Sequence, residues 1–144
     1  MYFLLLVVQA TIICGVCVAA LLVGDRPAKL VGGGCLAAWV ATTFAHKPHE
    51  TTSVQYGVAL VDLALLIYVA ALAIRYRHAW LVVAGSFLML TVATHVAYLI
   101  DLHIVSNVRI TASIIWGYMT IVCLAWGTWN GWRRERLGRV KAPE

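Results

Sequence analysis

Five apolar segments, residues 2–23, 30–45, 54–74, 79–100 and 110–129, take up most of the chain and fix what it can become. All but the second are at least 20 residues long, close to the ~20 an α-helix needs to cross ~30 Å of hydrocarbon. The second has 16 residues; by length it is either a short span or a re-entrant segment.

Composition closes off the soluble alternatives. Of the 144 residues, 62% are hydrophobic and 12% charged, whereas soluble domains carry about 25% charged residues. The net charge of +5 does not point to nucleic acid, because it is not spread over a face. Arg133, Arg134, Arg136, Arg139 and Lys141 instead crowd the end of the chain beside an apolar segment, a pattern of cytoplasmic retention and contact with anionic lipid headgroups.

Charge also counts the crossings. With five spans, Arg26, Lys29, Arg75, Arg77 and the five basic residues of the tail fall on one side, and Lys47 and Arg109 on the other. Four spans would destroy that asymmetry. The positive-inside rule then predicts an N-terminus outside and a basic cytoplasmic tail at 133–144. The first segment lacks a basic n-region and is too long for a signal-peptide core. The loops are short, so sequence neighbours become antiparallel neighbours. The expected fold is all-α: a polytopic membrane protein, a compact bundle of five transmembrane helices with no soluble domain.

Several residues have plain structural readings. Cys14, Cys17, Cys35 and Cys123 lie inside apolar segments, where forming a thiolate is costly, so they are expected to pack as small hydrophobes. Gly32, Gly33 and Gly34, followed four residues on by Ala37 and Ala38, let backbones approach closely and predict a central second helix. Trp126, Trp129 and Trp132, just ahead of Arg133 and Arg134, read as an interfacial anchor.

Asp62 and His95 do not fit a purely apolar bundle. Apart from cysteine and tyrosine, they are the only ionisable side chains deep inside a span. An unpaired charge there costs at least ~2.5–3.5 kcal/mol. Counted from a turn near Arg77, Asp62 stands 15 residues back and His95 18 forward, a height difference of about 4.5 Å at helical rise. The two are expected to face each other, with Gln9, Gln55, Thr91 and Tyr98 forming a polar layer around them. The pair is either a clasp that fixes helix register or a proton or cation site.

Two further ligand chemistries are weighed. His46, His49, His103 and Asp101 lie in loops on the same outer side, and imidazole with carboxylate suits a transition metal; Pro48 disfavours the regular helix that would align His46 with His49. Haem with two axial histidines lacks a second deep imidazole, which leaves His95 as a single ligand for a haem or bacteriochlorophyll. Nucleophilic catalysis has no candidate residues, and no glycine loop cradles phosphate, so no enzyme activity is expected and the basal expectation is no cofactor.

From Val61 to Trp129 the chain resembles a group of small, uncharacterised integral membrane proteins of alphaproteobacteria. The resemblance rests on Val61-Asp62-Leu63, Arg77 with Trp80, His95, Asp101, Tyr118 and Gly127-Thr128-Trp129. It implies a bacterial inner membrane and brings no activity with it. The first expectation for function is an accessory or assembly subunit packed beside other membrane-protein subunits of a respiratory or photosynthetic complex. The alternative is a proton- or cation-handling transporter using Asp62 and His95. The third is a haem or pigment binder through His95.

Overall fold

The computed structural model of the chain describes residues 2–45, 56–100 and 106–140. They form five helices: α1 (Tyr2–Val23), α2 (Arg26–Ala45), α3 (Tyr56–Tyr76), α4 (Ala79–Ile100) and α5 (Ser106–Val140). No strand occurs among the described residues. Stretches of α3, α4 and α5, namely Tyr56–Tyr76, Ala79–Tyr98 and Thr111–Arg134, are long and apolar enough to cross a membrane.

Three helix ends depart from the hydropathy reading by four residues or more, one of them the start of α5, at Ser106 rather than residue 110. The second helix begins at Arg26 rather than at residue 30 because Asp25 caps it. The Asp25 Oδ1 accepts from the Ala28 N–H at 3.1 Å, and the Asp25 carbonyl accepts from Lys29 N–H at 2.9 Å. Pro27 sits in the first turn, where its missing N–H costs nothing. The helix therefore has 20 residues and a length of about 30 Å. At the other end of the chain, α5 does not stop at residue 129. It continues through the arginines of the expected tail to Val140, since Arg, Glu and Leu are all good helix formers.

The connection between α3 and α4 is as tight as the spacing of their apolar runs demands. Arg77 adopts φ 52°, a left-handed cap, and its N–H donates to the Ala73 carbonyl at 2.9 Å, satisfying one of the carbonyls left over at a helix end.

The helices close into a ring in sequence order, α5 returning to pack on α1, with the α4–α5 and α3–α4 faces the most extensive. One diagonal contact, between α2 and α5, divides the ring. On one side lies a close three-helix cluster of α1, α2 and α5. On the other, α3 and α5 make no contact among the described residues, so α2, α3, α4 and α5 surround a space instead of filling it.

Glycines set the close approaches. A Cβ on Gly32 would stand 3.0 Å from that of Ala20 and 3.2 Å from the Cys17 carbonyl oxygen. One on Gly34 would meet the Tyr68 ring at 2.7 Å. Gly33 has only Leu21 within reach, at 3.9 Å. Gly32 thus seats α2 on α1 and Gly34 seats it on α3, while the Tyr68 hydroxyl donates to the Leu30 carbonyl at 3.1 Å. Cys17, Ala20, Ala28, Val31, Val69, Leu81 and Leu124 are fully buried. They fill the half of the bundle nearer the α3–α4 turn.

Candidate functional site

Inside apolar helices, serine and threonine hydroxyls commonly bond back to a carbonyl of their own helix. Thr43, Ser86, Thr91, Thr94, Thr120 and Thr128 all do so, each donating to the carbonyl four residues back at 2.8–3.1 Å. Against that background two features stand out. Asp62 on α3 and His95 on α4 satisfy one another, and the Ser113 hydroxyl on α5 is buried without a hydrogen-bond partner.

The His95 Nε2 and Asp62 Oδ2 lie 2.9 Å apart. This is an imidazole–carboxylate hydrogen bond linking adjacent helices across the hairpin, and an ion pair when the ring is protonated. The His95 side chain is 10% exposed and that of Asp62 21%. The carboxylate is therefore held on one side and open on the other.

It opens into the space that α3 and α5 leave between them. This cavity, of ≈ 270 Å³, is lined by Asp62, His95 and Thr91, by Cys35, Trp39 and Thr42 of α2, by Ser113, Tyr118 and Thr120 of α5, and otherwise by aliphatic side chains. Since a water occupies about 30 Å³ of liquid, the volume suits several waters or one small molecule. Leu65, Leu88 and Ile121 of its lining also belong to, or pack against, the buried aliphatic core. Trp39 and Ile114, which line it, are also 38% and 39% exposed. The cavity is open to the surface of the bundle and not fully enclosed.

Of the polar layer expected around the pair, the side chains of Thr91 and Tyr98 fall within the described residues. Thr91 lines the cavity, but its hydroxyl is spent on the Phe87 carbonyl at 3.1 Å. Tyr98 is buried one turn beyond His95. Gln55 and the side chain of Gln9 lie outside the described residues, as do His46, His49, Asp101 and His103, the proposed metal ligands. Among the described residues no three His, Cys, Asp or Glu side chains group as a metal site would require. For an axial haem or pigment ligand, the Nε2 of His95 would first have to leave Asp62.

The tryptophans at the end of α5 divide between two faces. Trp126 is 64% exposed and borders a small polar pocket with Asp25, His78 and Trp80. The Trp129 and Trp132 rings lie 5.3 Å apart, tilted by 40°, and line an apolar groove against α1. Arg136 lies over the Trp132 ring at 4.2 Å, and Arg133 and Arg134 are exposed.

Sequence reasoning reached Asp62 and His95 through depth alone. It missed Ser113 as an unpartnered donor and Cys35, Trp39 and Tyr118 as neighbours, because nothing in a linear pattern says which helices stand apart. Asp62 bonds His95, and Gly127 lies against Trp80. No family model, curated protein or solved structure matches the chain.

Proposed function

We propose that this is a proton- or cation-handling membrane protein in which Asp62 is the titrating group and His95 its partner. The observation that carries the reading is the cavity. A clasp serving only to fix helix register would be packed over, whereas Asp62 lines a ≈ 270 Å³ space that reaches the bundle surface. Intramembrane carboxylates mark ion and proton pathways when they face such spaces. The reading is of binding and handling, with no catalytic step.

It places the chain in a bacterial inner membrane with all five helices crossing, the N-terminus outside and the C-terminus cytoplasmic. The 20 residues of α2 suffice for a crossing of about 30 Å. The basic residues at the α1–α2 and α3–α4 turns and along the end of α5 then share the cytoplasmic side, as the positive-inside rule requires. In this orientation the cavity lies in the outer half, and the packed aliphatic layer below it has to part for a proton or cation to cross.

The test is proton flux in proteoliposomes loaded with a pH-sensitive dye. Wild-type protein is expected to dissipate an imposed gradient, and Asp62→Asn to lose that flux while assembling normally. Equal flux from the two would sink the proposal.

A second reading, an accessory subunit of a larger membrane complex, draws on a different observation. The apolar groove between α1 and α5, lined by Val16, Ala19, Val23, Trp129 and Trp132, has a volume of ≈ 310 Å³, suited to apolar side chains of a neighbouring helix or part of a lipid chain. Native mass spectrometry after gentle solubilisation decides it, since a lone chain with no co-purifying protein would count against a subunit role.

A further inference from the structure

We infer that the cavity beside Asp62 receives a small lipophilic organic cation, a protonated or quaternary amine. The inference rests on the reading of Asp62 as a charge-handling group and specifies what else that group serves.

Charge comes first. The chargeable lining side chains among the described residues are Asp62, His95, Cys35 and Tyr118, and no Lys or Arg joins them. The Asp62–His95 pair therefore carries one negative charge when the ring is neutral and none when it is protonated. An anion finds no counter-charge there beyond a shared imidazole, whereas a cation finds a carboxylate held on one oxygen and open beyond it.

Size and lining then separate organic from inorganic cations. A hard metal ion takes 6–8 oxygen ligands, and no grouping of three acidic, histidine or cysteine side chains surrounds this space among the described residues. The walls are instead mostly aliphatic, with Ile13, Leu65, Leu88 and Ile121 among them. Such walls stabilise an apolar body through burial. Trp39 and Tyr118 add aromatic surface, to which an alkylammonium is attracted by the ring quadrupole. The cavity is open and not fully enclosed, so a molecule that partitions into the bilayer has a way in. When the pair is protonated, binding of one cation releases that proton to water, so proton and cation compete for one site.

Benzyltrimethylammonium and its uncharged counterpart neopentylbenzene separate charge recognition from simple cavity filling. Each is titrated calorimetrically into the purified full-length protein, with protein-free micelles as reference. The ammonium is expected to saturate at one per chain, with at least ~tenfold tighter binding than the neutral compound and ~tenfold weakening in Asp62→Asn. Trp39→Leu, which leaves the pair intact, weakens it about fivefold through the lost cation–π contact, so the inference stays testable if Asp62→Asn fails to fold. Equal binding of the two compounds, or binding of neither, overturns it. Asp62-dependent proton flux without ammonium binding would remove this inference and leave the function above standing. If Asp62→Asn alters neither flux nor binding, both readings fall.

Discussion

Gly127 and Trp80 approach so closely that one residue occupies the place where the other would carry a side chain. A Cβ built on Gly127 would stand 2.5 Å from two carbons of the Trp80 ring. This contact lies where the start of α4 meets the later part of α5, within the most extensive helix pair of the bundle. A methyl group here forces a bulky ring or a backbone to move. Gly127→Ala should therefore destabilise the protein by about 1–3 kcal/mol, the usual cost of overpacking. Gly15→Ala is the matched control. Nothing lies within 4 Å of its Cβ position, so the better helix propensity of alanine should leave stability unchanged or raised by up to ~1 kcal/mol. Reversible unfolding in mixed detergent micelles measures both.

The bond between Asp62 and His95 makes a prediction about non-additivity. Removing one partner leaves the other polar and buried, at a cost of about 1–3 kcal/mol; removing both leaves nothing unpaired. Asp62→Ala, His95→Ala and the double variant should therefore show a coupling energy of about 0.5–2 kcal/mol, the range for polar contacts between membrane helices. The double variant should be less destabilised than the sum of the singles. Strict additivity would mean that the 2.9 Å contact contributes nothing.

Arg77 holds a backbone conformation that side chains resist. Its φ of 52° costs a non-glycine residue roughly 1–2 kcal/mol, tolerated because the α3–α4 connection has no room for a longer turn. Arg77→Gly should relieve part of this and stabilise the hairpin by up to about 1 kcal/mol. Arg77→Ile, with branching at Cβ, should destabilise it. A thermal shift series over the three side chains gives the order, and an inverted order would show that the guanidinium, and not the backbone, governs this position.

How much of this was legible beforehand depended on which physical quantity each feature needs. Heights are readable: once α3 and α4 are joined near Arg77, counting residues puts Asp62 and His95 close to one level, and the apolar run 79–100 has the bounds of α4. Helix ends are readable only when capping is read with hydropathy. Asp25 followed by Pro27 announces a start at Arg26, but hydropathy sees only the charges of Arg26 and Lys29. The same bias cut α5 at residue 129, because Arg133 to Arg136 look like a tail when only apolarity is scored. The cavity was out of reach. It exists because Gly32 and Gly34 pull α2 onto α1 and α3 while α3 and α5 stay apart, and that is a property of five helices together, invisible in any one of them.

The sidedness of the cavity yields the last prediction. Asp62 lies one to two turns from the start of α3 and His95 a similar distance from the end of α4, whereas the basic residues cluster at the opposite ends of these helices and along the end of α5. If Arg77 is cytoplasmic, the open carboxylate draws its proton or cation from the outer half. With the four native cysteines replaced by alanine, single reporters at Thr52→Cys, Arg77→Cys and Lys141→Cys should divide in intact cells. An impermeant maleimide should label the first directly and the other two only after permeabilisation, because the arginine-rich side stays in the cytoplasm. Labelling of Thr52→Cys and Lys141→Cys from the same face would break the odd number of crossings. The cavity would then have no defined side, and a vectorial role for Asp62 would lose its basis.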